Sequence, residues 1–394
     1  SSYTLMTFLT SILLGLCMGS GAAVSMQYGS GEEARMRQSV FQSFVLIAGM
    51  ALALNVLVYL GLGGILWVLR VPEKIIPLMK EYLRIIFLGI TATFLYNYFA
   101  NLLRAIGNSV VPLLFLAVSA VLNVILDLVC VLVWHWGVRG AAAATTFSQF
   151  VSGIGIGLYT LKKFPQLCPK KEDCRWDKQN LATILNLSVM TSVQQSIMNF
   201  GILMVQGLVN SFGTVIMAAF AAAVKIDSFA YMPVQDFGNA FSTYVAQNYG
   251  AGDRERVHES IHKGLLIHLT TSALFSVIIF SGRYPMMHLF VGDDPTVIAI
   301  GAQVTALIAP CYVLFTLVEV LSSTMRGVGD AVVPAAITMV FTCIVRLIYL
   351  WGYAFSHNSN LTIAVIYPIS WVLTSIAFLL YYKSRKWMPK GFHF

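Results

Sequence analysis

Long apolar runs alternate along this chain with short polar breaks. The runs lie near residues 3–27, 39–69, 77–103, 110–134, 140–161, 181–211, 214–247, 262–282, 296–322, 331–355 and 362–382. Each is long enough to cross a hydrocarbon layer, which takes roughly 17 to 25 helical residues. In hydrocarbon a backbone must satisfy its own polar groups, so an isolated run of this length predicts a helix and not a strand. The breaks carry the turn residues and most of the charge. The longest of them, Lys162 to Asn180, holds six basic residues together with Pro165 and Pro169.

Two breaks recur. Gln27-Tyr28-Gly29-Ser30-Gly31-Glu32 returns 221 positions later as Asn248-Tyr249-Gly250-Ala251-Gly252-Asp253. Leu103-Arg104-Ala105-Ile106-Gly107-Asn108-Ser109-Val110-Val111-Pro112 returns 222 positions later as Met325-Arg326-Gly327-Val328-Gly329-Asp330-Ala331-Val332-Val333-Pro334. One register shared by two motifs indicates duplication of a large unit. Six crossings separate the Tyr28 break from the Tyr249 break, so both face the same side and the repeats are parallel. The expected fold class is an all-α membrane protein of two parallel-repeat helical lobes, six spans each in the full protein and eleven here. The lobes are expected at residues 1–161 and 181–394, joined by a cytoplasmic linker at 162–180. The run opening at Leu181 has no counterpart after Ser1, so the first lobe is expected to lack its first span.

Composition places the chain in a bilayer. Hydrophobic residues make up 58% and charged residues 11%, against about half and a quarter in soluble globules. The net charge of +8 reads as orientation and not as nucleic-acid binding. With the Tyr28 break inside, 17 of the 25 Lys and Arg fall on the cytoplasmic side, Lys390 included; Arg70, Lys74, Lys80, Arg84, Arg139 and Arg283 fall outside. This is the bias that sets topology. Cys17, Cys130, Cys311 and Cys343 lie in runs, and Cys168 and Cys174 share a break with no histidine nearby, so neither a disulfide framework nor a metal set is expected. Trp134, Trp136, Trp351 and Trp387 sit near run ends, where interfacial anchors belong. Gly153-Ile154-Gly155-Ile156-Gly157 lies inside a run with no strand before it, which predicts close helix packing and not a nucleotide loop.

Ionisable groups inside the runs carry the candidate chemistry, because a charge at mid-bilayer costs about 2.5–3.5 kcal/mol on insertion scales. Asp127 stands alone in a run of Val, Leu and Ile, with Asn123 four residues earlier on the same helical face. An amide oxygen and a carboxylate so placed either hold a cation or proton, or tie two helices together. In the second half the polar intramembrane residues are Gln194, Gln195, Asn199, Lys225, Asp227, Tyr231, Gln235, Asp236, Glu319 and Arg346. Lys225 and Asp227, two apart, face different directions. Cavity lining and inter-helix salt bridges are the competing roles for these charges.

Taken in order, Gln247-Asn248-Tyr249-Gly250-Ala251-Gly252, Met325-Arg326-Gly327-Val328-Gly329-Asp330 and Gly140-Ala141-Ala142-Ala143-Ala144-Thr145 resemble the multidrug and toxic compound extrusion (MATE) family, prokaryotic type, over the whole chain. The resemblance implies an ion-coupling site at Asn123, Asp127 and Thr145, with the family's further aspartate on the span this chain lacks. Independently of the resemblance, the intramembrane residues Gln194, Gln195, Asn199, Lys225, Asp227, Tyr231, Glu319 and Arg346 are the candidates for lining a substrate cavity. A glutamate that some relatives carry on the seventh span is here Gln194-Gln195, which speaks against a sodium site there.

The expected function is secondary active export by alternating access. H+ or Na+ would enter as a small organic, cationic or amphipathic compound leaves across a bacterial-type cytoplasmic membrane. No ATP-binding loop or nucleophile elbow is present, so no enzyme activity, cofactor or bound metal is expected. The expected partners are substrate and lipid, for a monomer that binds no nucleic acid. The alternative is a lipid-linked oligosaccharide flippase of the same superfamily, which would want a cleft lined by arginines.

Overall fold

The structure, a computed structural model, describes residues 2–68, 76–209, 213–354 and 360–389. Arg70, Lys74 and Lys390 lie outside the described residues. Among the described residues the chain is helical with no strand. Ten helices are long and apolar enough to cross a membrane, and the protein is a multi-pass integral membrane protein.

The first five helices are α1 (Ser2–Gly29), α2 (Glu33–Val68), α3 (Ile76–Ala105), α4 (Val110–Leu128) and α5 (Gly137–Lys163). Next come α6 (Lys178–Val209), α7 (Thr214–Gly250), α8 (Arg254–Val291), α9 (Pro295–Ile308) and α10 (Tyr312–Gly327). The chain ends with α11 (Val332–Thr338), α12 (Val345–Tyr349), α13 (Asn360–Ala364) and α14 (Ile366–Lys383). Helix α6 covers the run at 181–211 but is not among the ten, since it spends many positions on Gln, Asn, Ser and Thr.

The run at 296–322 is not one helix. Pro310 has no N–H to donate, and the chain tightens into a 3-10 turn at Ala309–Cys311 between α9 and α10. The Ala309 carbonyl is satisfied by Ser276 Oγ at 2.8 Å. The run at 331–355 is helical with two π segments, Met339–Ile344 and Leu350–Ala354, on either side of α12. A third π segment, Val129–Val133, extends α4. It occupies the position that Leu350–Ala354 holds in the other half.

The duplication is visible in the turns. Asp253 N donates to Asn248 O (3.0 Å) as Glu32 N donates to Gln27 O (3.1 Å). Asn108 Oδ1 caps the Val111 amide (3.2 Å) as Asp330 Oδ1 caps that of Val333 (3.4 Å). Gly31 and Gly252 have φ of 74° and 73°, the left-handed region where a Cβ is disfavoured.

The chain divides into two compact units, Ser1–Ser192 and Val193–Phe394. In the first, α3 packs against α5, α1 and α2, and α4 lies on α5. Glycines permit these crossings: a Cβ on Gly153 would lie 2.8 Å from Ala92 O, and one on Gly157 3.0 Å from Phe99. Segment 164–180 is bound to this unit. Arg37 Nε meets Asp173 Oδ2 at 2.7 Å, Gln42 Nε2 donates to Arg175 O at 3.0 Å, and Asn180 Oδ1 accepts from Gln27 and Ser39. Burial alone would raise the Asp173 carboxyl, but the Arg37 hydrogen bond, the Lys170 amide and nearby positive charge outweigh it and hold it below the ordinary carboxylate range.

In the second unit α10 packs against α7, α8 and α14, and α7 against α8 and α9. Trp134, Trp136 and Trp351 are exposed, as anchors would be. Trp387 is not: it is buried, stacks on Tyr382 at 5.3 Å and donates Nε1–H to the Tyr382 carbonyl, because the chain turns back at Ser384–Trp387.

Candidate functional site

Unit Val193–Phe394 contains a small cavity of about 50 Å³, partly open to its surroundings, to which α6, α7, α10, α11, α12 and α14 all contribute. Helix α6 presents Gln194, whose Nε2 donates to Ser322 Oγ (2.8 Å) and to Thr338 Oγ1 (3.2 Å). Helix α7 presents Asp227 and, one turn on, Tyr231. The Asp227 carboxylate takes a hydrogen bond from the Tyr312 hydroxyl, while its Oδ1 is buried with no partner.

Helix α10 presents Glu319, which is 3% exposed. Its carboxylate fits only because position 238 on α7 is glycine: a Cβ there would sit 2.5 Å from Glu319 Oε1 and 2.6 Å from Cγ. Ser323 donates to Glu319 Oε1 at 3.4 Å, and Arg326 Nη2 donates to the Ser323 hydroxyl at 3.1 Å. The sequence places Arg326 at the cytoplasmic boundary; the structure buries it to 2% exposure, with Nε also bonded to Ser242. The nearest carboxylate charge acting on it is Glu319, two turns earlier on the same face and linked to it through Ser323, which the turn motif does not reveal.

Arg346 enters from α12, 3% exposed. Its Nε donates to Ser370 Oγ at 3.1 Å, and its guanidinium lies 4.8 Å from the centre of the Tyr367 ring. No carboxylate lies within salt-bridge distance of it among the described residues, so the stacked ring and the hydroxyl hold it while Asp227 acts through space. Opposite, an aromatic wall joins Tyr231, Phe315, Trp371 and Tyr367: Tyr231 stacks on Phe315 at 4.9 Å, and Trp371 lies 5.7 Å from Phe315 and 5.9 Å from Tyr367.

Five of the eight cavity candidates thus converge: Gln194, Asp227, Tyr231, Glu319 and Arg346. Gln195, Asn199 and Lys225 do not line this cavity. Gln195 accepts from Gln235 Nε2 at 2.8 Å, and Asn199 donates to the Gln195 carbonyl at 3.0 Å. Lys225 is exposed, because two residues along a helix place it on a different face from Asp227. Tyr312, Tyr367 and Trp371 were not singled out from the sequence. The available signal was Arg346 itself, since a guanidinium inside a span needs covering groups, and Tyr367 and Trp371 sit one turn apart on the next helix.

In unit Ser1–Ser192, Asn123 Nδ2 donates to Thr145 Oγ1 at 3.3 Å, and Thr145 donates to the Ala141 carbonyl at 3.0 Å. The π segment after Leu128 and the turn at Gly137 bring α4 and α5 together here. Asp127 is half-buried on the Asn123 side of α4, away from the exposed Val121, Val124, Ile125 and Leu128, and its Oδ1 is buried without a partner. A buried carboxylate oxygen without a partner is unusual in a packed structure and marks Asp127 as a candidate site on the helical face of Asn123.

The sequence model of the MatE family matches residues 1–129 and again 188–351. The chain belongs to the MatE family. This is a family of transporters and not of enzymes, and the double match falls on the two copies that the repeated turns delimit. The MatE chain is 27% identical to the probable multidrug resistance protein YpnP of Bacillus subtilis, over 98% of this chain and 86% of that one. It is 25% identical to the probable multidrug resistance protein NorM of Thermotoga maritima, over 85% and 73%. Its fold is that of a solved multidrug resistance MATE family transporter of the MOP superfamily in an outward-facing conformation, with a TM-score of 0.89 at 18% identity, covering 97% of this chain and 86% of the other.

Proposed function

We propose that this MatE protein is a secondary active multidrug exporter in which entry of H+ or Na+ drives exit of small organic cations by alternating access. The observation that carries the proposal is the cavity of the second unit, which the buried Glu319 and the half-buried Asp227 line together with aromatic rings. Rings within reach of a ligand attract ammonium groups, most strongly when water is excluded, and the likeness to probable multidrug resistance proteins supports organic compounds as cargo.

Charge balance supplies the exchange. With Asp227, Glu319, Arg326 and Arg346 all ionised, the group is neutral. A proton on either carboxylate leaves one positive charge, which repels an organic cation. Proton and cargo therefore exclude one another, and mutual exclusion by differential affinity is what coupled exchange requires. At Asp127, occupancy of the unpartnered oxygen by a coupling ion favours one state of the first unit. An oligosaccharide flippase is not supported: the cavity's arginine is matched by carboxylates and stacked on a ring.

Proteoliposomes loaded with ethidium test this under separately imposed proton and sodium gradients. Efflux follows one of the two gradients, and it falls to the rate of protein-free vesicles in Asp127→Asn and in Glu319→Gln. Undiminished gradient-driven efflux in both variants overturns the proposal.

A further inference from the structure

Unit Ser1–Ser192 holds a second hollow, independent of the acidic cavity. It has about 570 Å³ of empty space and lies where α2, α3 and the end of α5 meet the turn at Pro165–Pro169. Phe41, Phe44, Phe99, Leu102 and Leu161 form its walls. The polar atoms nearby are engaged elsewhere: Tyr98 Oη with Ser43 and the Val40 carbonyl, Thr160 Oγ1 with Ile156 O at 2.7 Å, Cys168 Sγ with Leu161 O. Nothing is left to hold an ordered water, which needs two or more polar partners. Leu158 and Leu161, on the flank of the opening, are exposed in the manner of lipid-facing residues.

Four exposed lysines directly follow lining residues in the chain, two after Leu161 and two after Pro169. Lys162 and Lys163 form the last turn of α5, and Lys170 and Lys171 follow Pro169. None forms a salt bridge among the described residues. The neighbouring Asp173 is already taken by Arg37 at 2.7 Å. By the distribution of basic residues this end of the unit faces the cytoplasmic leaflet, whose surface is anionic.

We propose that this hollow binds one anionic phospholipid, with an acyl chain among the phenylalanines and the phosphate among the four lysines. The bilayer already solvates the chain, so the acyl contribution is contact: an unfilled hollow forfeits dispersion on one side of every wall atom, and a methylene chain restores it. The headgroup supplies selectivity, because the lysine cluster distinguishes an anionic phosphate ester from a zwitterionic one. Segment 164–180, pinned to α2 by Arg37 and Gln42, forms one side of this site, so occupancy stiffens the connection into α6. The site is separate from the acidic cavity and does not depend on what that cavity carries.

Native mass spectrometry of the purified full chain, released from nanodiscs of mixed phosphatidylglycerol and phosphatidylcholine, tests the proposal. The wild type retains one phosphatidylglycerol in preference to phosphatidylcholine by at least about tenfold, a ratio within reach of four lysines near a surface. Leu161→Trp, which fills the mouth from an exposed position, loses the retained lipid. Replacing the four lysines by glutamine keeps a retained lipid but abolishes the preference. Glycerophosphoglycerol, the headgroup without chains, does not compete. Equal retention by the wild type and both variants, no preference in the wild type, or competition by the free headgroup overturns the proposal.

Discussion

Helix α1 crosses α6 at two glycines one turn apart, and the crossing has a measurable cost of change. A Cβ on Gly15 would lie 2.3 Å from Ser192 Cα and 2.7 Å from its amide nitrogen; one on Gly19 would lie 2.3 Å from Leu187 O and 2.5 Å from Ser188 Cα. Carbon atoms need about 3.5–4.0 Å, so each substitution falls more than about 1 Å short. The atoms met are backbone and cannot rotate aside; the helices must separate. Overpacking of this kind costs about 1–3 kcal/mol. Separation also breaks the bond from Ser192 Oγ to Ile12 O at 2.9 Å, a further 0.5–1.5 kcal/mol or so. Alanine's better helix propensity returns up to about 1 kcal/mol.

Gly15→Ala and Gly19→Ala should therefore each destabilise the protein by about 2 kcal/mol, the sum of these opposing terms. The double variant should cost less than twice that, since one separation relieves both clashes. Gly49→Ala in α2, where nothing lies within 4 Å, is the control and should be neutral or slightly stabilising. Unfolding in mixed micelles by titration with sodium dodecyl sulfate, followed by tryptophan fluorescence, reads the midpoints. Midpoints for the two α1 variants that coincide with that of Gly49→Ala would refute the account of a backbone-to-backbone crossing.

Further outcomes follow from the charged groups. The depressed Asp173 carboxyl contributes stability above its ordinary pKa of 3.8, and that contribution is lost as pH falls through the lower folded value. Thermal midpoints measured between neutrality and pH 3 should decline for the wild type below about pH 4, and Asp173→Asn should be less stable at neutrality with a flatter profile. Gly238→Ala should displace Glu319 from Ser323 and lower substrate affinity in equilibrium binding of ethidium, whereas Gly63→Ala, with nothing within 4 Å, should leave it unchanged.

What the sequence reveals is what repeats along the chain. Runs of apolar residues dictate helices because hydrocarbon offers the backbone no other partner, and the paired turns return as paired hydrogen bonds at Asn108 and Asp330. What escapes it depends on rotation about helix axes and on contacts between distant runs. The spacing puts Lys225 and Asp227 on different faces, but not which of the two meets the cavity: Lys225 is exposed and Asp227 lines it. Segment 162–180 reads as a linker from its prolines and lysines, but Arg37, Gln42 and Asn180 bind it to the first unit. The π segment Met339–Ile344 shifts the facing of the residues after it, so no fixed helical period from 332 would have set Arg346 against Tyr367.

The duplication extends to architecture and stops at charge. Shifted by the repeat interval, Glu319 falls on Asn97, Arg346 on Val124 and Asp227 on Met6, while Asp127 falls on Tyr349. The turns and the final π segment recur in both halves, and so does the arginine of the second turn, Arg104 and Arg326, whereas Asp127, Asp227, Glu319 and Arg346 have no ionisable counterpart of like charge. The first unit holds one unpartnered carboxylate oxygen, on Asp127, on the helical face that carries Asn123. The second unit sets Asp227 and Glu319 in a cavity lined by rings. Two twinned scaffolds with unlike electrostatics present unlike surfaces to ligands, and in the proposed exchange each ligand shifts the equilibrium only by its differential affinity for the two conformational states.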